Sequence, residues 1–86
     1  MEPPSMHWHD HSTPETERYE LLAGGPIRAI VTRQRFPHAA RDFQAYIEIQ
    51  GQPTPAPTPF PTRPAAQEWA LRTIEQRVLR QSKRIA

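Results

Sequence analysis

His7-Trp8-His9-Asp10-His11 places three imidazoles and a carboxylate within five residues. These groups are ligands for zinc, nickel and copper. A resident metal centre needs ligands fixed by the fold and oriented by an outer layer of hydrogen bonds. Beyond this run the chain offers only one further histidine, His38. His7, His9 and His11 therefore read as a flexible stretch that takes up metal weakly, and no resident metal or cofactor is expected. The chain has no cysteine, which removes thiolate sites, disulfides and a cysteine nucleophile. Gly24-Gly25-Pro26 signals a turn rather than a phosphate loop, and Ser5, Ser12 and Ser82 have no base placed beside them by spacing. No enzymatic chemistry is expected.

Arginines and aromatics are the other residues able to do chemistry. Net charge is +2, but it is divided unevenly: residues 1–20 sum to −4, while residues 21–63 and 64–86 each sum to +3. An acidic start followed by a basic body suits nucleic acid or an acidic protein. Arg28, Arg33 and Arg35, with Thr32 and Tyr46, are the candidate nucleic-acid contacts from extended segments. Arg77, Arg80, Lys83 and Arg84 are those at the carboxyl end. For protein recognition the candidates are Trp8, Tyr19, Phe36 and Phe60, expected as an exposed apolar patch. Pro61, Arg63 and Pro64 join them, forming a P-x-x-P run with a base, the pattern read by proline-binding grooves.

Elements able to position these residues follow from periodicity. Residues 1–17 show no apolar alternation and are expected as a disordered arm that is acidic and histidine-rich. Tyr19–Leu22 and Ile27–Arg35 flank the glycine turn as a hairpin, with Ile27, Ala29 and Val31 on one face and Arg28, Ile30 and Thr32 on the other. Parity then puts Arg33 and Arg35 on the inward side unless the strand ends or bulges. Phe43–Gln50 alternates strictly, with Phe43, Ala45, Ile47 and Ile49 on the buried side. Prolines at every second position from Pro53 to Pro61 predict a polyproline II connector over residues 52–61. From Thr62 on, Ala66, Ala70, Ile74 and Val78 repeat at helical spacing, behind a threonine cap and a first-turn proline. The expected fold is α+β: one small domain over residues 18–86, a three-stranded antiparallel sheet (β-β-β-α) packed on one long carboxyl-terminal helix.

The junction Phe60-Pro61-Thr62-Arg63-Pro64-Ala65-Ala66-Gln67-Glu68-Trp69 resembles that of the amino-terminal, arm-type DNA-binding domains of phage-type tyrosine recombinases. In these a three-stranded sheet leads through F-x-T into a helix, with an alanine four positions after the threonine and a tryptophan three after that. Phe60, Thr62, Ala66 and Trp69 fall in this register. The resemblance implies a sheet that meets DNA in the major groove and a helix that backs it. The proline run departs from the family pattern, and no recombinase catalytic domain is expected to follow.

With 86 residues and 36% hydrophobic content, the chain can build one modest core, and stability should gain from a bound partner. No apolar run reaches the ~18–20 residues of a membrane span. The first residues have neither a basic start nor an apolar stretch, so no secretory signal is expected and a cytoplasmic setting is. The expected function is a small non-enzymatic protein-interaction module or inhibitor of phage or plasmid-like origin, with an unidentified protein partner or a second copy paired by strand edges. The alternative is a DNA-binding accessory protein that uses the arginine-bearing sheet face and the basic helix end.

Overall fold

In the computed structural model, which describes the backbone of residues 7–84 and the side chains of residues 7–77, five antiparallel strands lie side by side in chain order. They are β1 (Trp8–Asp10), β2 (Thr16–Leu22), β3 (Ile27–Gln34), β4 (Gln44–Ile49) and β5 (Gln52–Pro55); one helix, α1 (Arg63–Arg84), crosses a single face. The α+β class with one carboxyl-terminal helix stands as expected. The strand count does not: the sheet gains a strand at each edge.

The first addition comes from the stretch expected to be a disordered arm. Residues 8–10 pair with β2, Trp8 opposite Leu21 and Asp10 opposite Tyr19. Trp8 supplies the reason. It lies on the helix side of the sheet and packs, half-buried, against both halves of the core, and taking part of an indole out of water favours the paired strand. Ser12 secures the turn that follows, its hydroxyl accepting from Arg18 N at 2.9 Å. Residues 1–6 lie outside the described residues.

The second addition comes from the proline run, which is a paired strand over residues 52–55 rather than a polyproline II connector. Gln50 and Gly51, with φ of 53° and 80°, make the two-residue turn that closes Ile49 onto Gln52. Two adjacent left-handed residues are the geometry of the tight hairpin turn. In such a hairpin alternate residues turn their N–H away from the partner strand. Pro53 and Pro55, opposite Glu48 and Tyr46, occupy those outward positions, so the missing donors cost the ladder nothing. Ala56 N, at an inward position, bonds Ala45 O at 2.9 Å. Pro57, Thr58 and Pro59 then loop out, and the chain returns at Phe60, which exchanges both backbone hydrogen bonds with Phe43 at 2.7 and 2.8 Å.

This edge therefore presents no donors at residues 53 and 55. Replacing Pro53 and Pro55 together by valine is expected to keep the β4–β5 register but expose two N–H groups, and so to promote strand-edge association. Sedimentation velocity over a concentration series measures it: the wild type stays at its starting mass where the double variant grows.

The helix side of the sheet holds the core. Tyr19, Val31, Phe43 and Ala45 meet Ala66; Leu21, Ala29 and Ile47 meet Ala70 and Ile74. Ala66 and Ala70 are fully buried, and their small side chains allow the helix backbone close to the sheet. Val78, expected on this stripe, lies outside the described side chains. Thr62 caps the helix through Oγ1, which accepts from Ala65 N at 3.3 Å. Glu68 and Arg72 form the expected i,i+4 pair on the solvent side at 2.7 Å. Ile30 departs from the simple two-faced reading. It lies on the side away from the helix, yet it is fully buried.

Candidate binding surface

Three groups of polar residues occupy the described surface. The first spreads over the open face of the sheet. Arg28 bridges two acids, Glu48 on β4 at 2.9 Å and Glu20 on β2 at 3.7 Å. Glu20 also meets Arg18 at 3.5 Å and His11 at 3.8 Å. Glu48 beside it raises the Arg28 guanidinium above its ordinary value. Thr32 and Tyr46 are half-buried on this face. The cation offered as a DNA contact is thus engaged by two carboxylates that alternation along β2 and β4 delivers to the same side.

The second group gathers where β2 begins and β3 ends. Arg33 is on the helix side, as parity requires, and there it binds Glu17 directly; Arg35 reaches the same carboxylate at 3.2 Å. Tyr19 donates to Glu17 through its hydroxyl at 3.1 Å. Glu17 is buried. Burial pushes its carboxyl up, but the hydrogen bonds from Arg33, Arg35 and Tyr19 outweigh that and hold it below the usual carboxylate range. Arg33 lies over the Phe43 ring at 4.5 Å and Arg63 over the Tyr19 ring at 4.7 Å, contacts that favour a guanidinium on an aromatic face. Asp10 is exposed, and hydrogen bonds from Ser12 lower its carboxyl.

The third group is the β3–β4 loop, whose stem is pinned. Arg35 N and Phe36 N both donate to Glu15 O, at 2.7 and 3.1 Å, and Ala40 N donates to Gln34 O at 2.7 Å. Gln34 Nε2 donates to Phe36 O at 3.2 Å. Phe36 is 65% exposed, and Arg35 and Arg41 are exposed in the same loop.

The exposed patch expected around Trp8, Tyr19, Phe36 and Phe60 does not form as such. Tyr19 is buried. Trp8 and Phe60 are half-buried against the core, with Phe60 packed on Trp69 at 6.1 Å between ring centres. Of these four aromatics only Phe36 is free of the core, because the others sit at inward positions of the sheet or its bridge. Pro61, Arg63 and Pro64 are exposed at the helix entry. Arg77 is exposed on the helix, while the side chains of Arg80, Lys83 and Arg84 lie outside the described residues.

A cavity of about 270 Å³ opens between β4 and the looped-out prolines, lined by Gln44, Ala45, Ala56 and Pro55 to Pro59; no lining side chain is titratable. His9 and His11 lie on the open face with ring centres 6.3 Å apart. Among the described residues no group of three or more histidine, aspartate or glutamate side chains is placed to hold a metal ion, and no helix is long and apolar enough to cross a membrane.

Sequence reasoning missed Glu17, Glu20 and Glu48 as the partners that hold the arginines. The signal for Glu17 was present: continuing the Tyr19, Leu21 alternation back by two residues puts it on the inward face. No family model, no curated protein and no solved structure matches this chain.

Proposed function

We propose that the chain is a small non-enzymatic binding module, of the inhibitor or adaptor kind, that engages a protein partner through the loop carrying Phe36. The supporting observation is the distribution of aromatics. The chain has seven; Tyr19 and Phe43 are buried, and Trp8, Tyr46, Phe60 and Trp69 are half-buried. Phe36 alone is exposed, on a backbone that hydrogen bonds hold at both ends. An aromatic held out to solvent beside arginines has the composition of an interface hot spot. The pairing of Arg28 with Glu20 and Glu48 favours this reading over DNA binding by the sheet face, since phosphate contacts need cations free to displace counterions.

Affinity capture from the source cells with the wild-type chain and with Phe36→Ala tests the proposal. The variant is expected to lose the partner, or to bind it with about 2 kcal/mol less free energy, while its own stability changes by less than about 0.5 kcal/mol. Identical capture by both chains would sink the proposal. Binding to a random-sequence DNA duplex that weakens steeply between two salt concentrations would put the DNA reading in its place.

A further inference from the structure

Residues 8–10 of the histidine-rich run form a strand, and that changes what the run can bind. We propose that His9 and His11 form a chelating site for a late first-row divalent ion, zinc, nickel or copper, on the open face of the sheet. Strand alternation sends residues 9 and 11 to one side, and pairing to β2 holds them there: His9 lies opposite Glu20, and His11 N donates to Arg18 O at 2.8 Å. Their ring centres are 6.3 Å apart and the planes tilt by 41°. Two imidazoles on one ion, with metal–nitrogen bonds of ~2.0–2.1 Å, place their ring centres roughly 5–6 Å apart. The observed separation of 6.3 Å lies close to that range.

The electrostatics around the pair are mixed, and they set the strength of the site. Glu20 Oε2 stands 3.8 Å from His11 Nε2, so a carboxylate borders the position the ion would take. Arg18, 3.5 Å from the same oxygen, and Arg28, 3.7 Å from Glu20 Oε1, oppose a second cation. Asp10 faces the other way along the strand and is engaged by Ser12 N at 2.8 Å. Two imidazole donors suit borderline ions of this row over magnesium or calcium, which favour oxygen donors. The remaining positions on the ion go to water. Both histidines are exposed, so ions reach them without opening the fold.

Calorimetric titration of the full, tag-free chain with zinc and with nickel, in a buffer that does not bind metal, tests the site. One ion per chain is expected, in the micromolar range. His9→Ala and His11→Ala should each weaken it by about tenfold or more, while His38→Ala leaves it unchanged. Proton NMR of the native chain gives a second reading: zinc should shift the ring signals of His9 and His11 together. No binding overturns the proposal. So does binding that survives both strand substitutions, or binding lost only in His7→Ala, which would mark an adventitious ion only.

Discussion

Replacing Ile30 by alanine is expected to destabilise the fold by about 2–5 kcal/mol, as much as truncating a residue under the helix. Ile30 sits on the face that carries the charges, and its side chain has no helix above it. It is nevertheless fully buried, because its neighbours are long. Glu20 and Tyr46 lie directly across on β2 and β4. Arg28, two residues along the same strand, reaches over to Glu20 and Glu48. Arginine and glutamate can cover apolar surface with their stems while their charged ends stay in water. Truncation leaves that cover over an empty space and removes the apolar contact that the ion pairs surround. Urea denaturation measures the loss: the midpoint should fall while its slope stays constant. A change below about 0.5 kcal/mol would mean that the charged cover collapses onto the alanine at little cost.

Glu17→Ala is the second large change, expected to cost about 2–3 kcal/mol. Removing one partner of a wholly buried pair costs roughly 3–5 kcal/mol, but solvent reaches Arg33 and Arg35, whose side chains are 35% and 44% exposed, and screens the charges left behind. What remains in the variant is two guanidinium groups side by side and a Tyr19 hydroxyl without its acceptor. Acid should act in the same direction on the wild type. A carboxyl held below its unfolded value stabilises the fold at pH above the carboxylate range and loses that contribution as pH falls through its folded value. Thermal melts from neutral pH down to about pH 3 should therefore bring wild type and variant together. A gap that stays constant with pH would mean that Glu17 acts by packing and not by charge.

Much of the fold can be read in the residues, and the failures are physical. The strand through Phe43–Ile49 and the helix stripe Ala66, Ala70, Ile74 follow from clean periods with small or branched residues on the inward side. Residues 8–10 have one apolar side chain between two histidines, too short a stretch for any period. Trp8 makes them a strand only through contacts with residues distant in the chain. The alternation of the prolines predicts an extended run but not its pairing: every second position is also where an edge strand has no inward donor to lose. Alternation puts Ile30 on the face of Arg28 and Thr32, where it is found, but does not predict its burial, although the run Ala29-Ile30-Val31 is the continuous apolar pattern of a strand covered on both faces. In the candidate surface, the inward side for Arg33 was legible from parity. Its partner Glu17 is legible only when the Tyr19, Leu21 alternation is carried back into the residues expected as the arm.

The strands stand in the sheet in the order in which the ribosome makes them. Each pairing closes a connection of two to nine residues, and the entropy of closure grows with the logarithm of loop length. Every hairpin can therefore form from local contacts and zip onto the one before it, which is the condition for fast folding at low contact order. The bridge between Phe43 and Phe60 extends the β4–β5 pairing past the looped-out residues 57–59. It leaves the chain two residues from the Thr62 cap, so the helix starts at the place where it must dock, and the last event of assembly is a fall onto the sheet rather than a search for it.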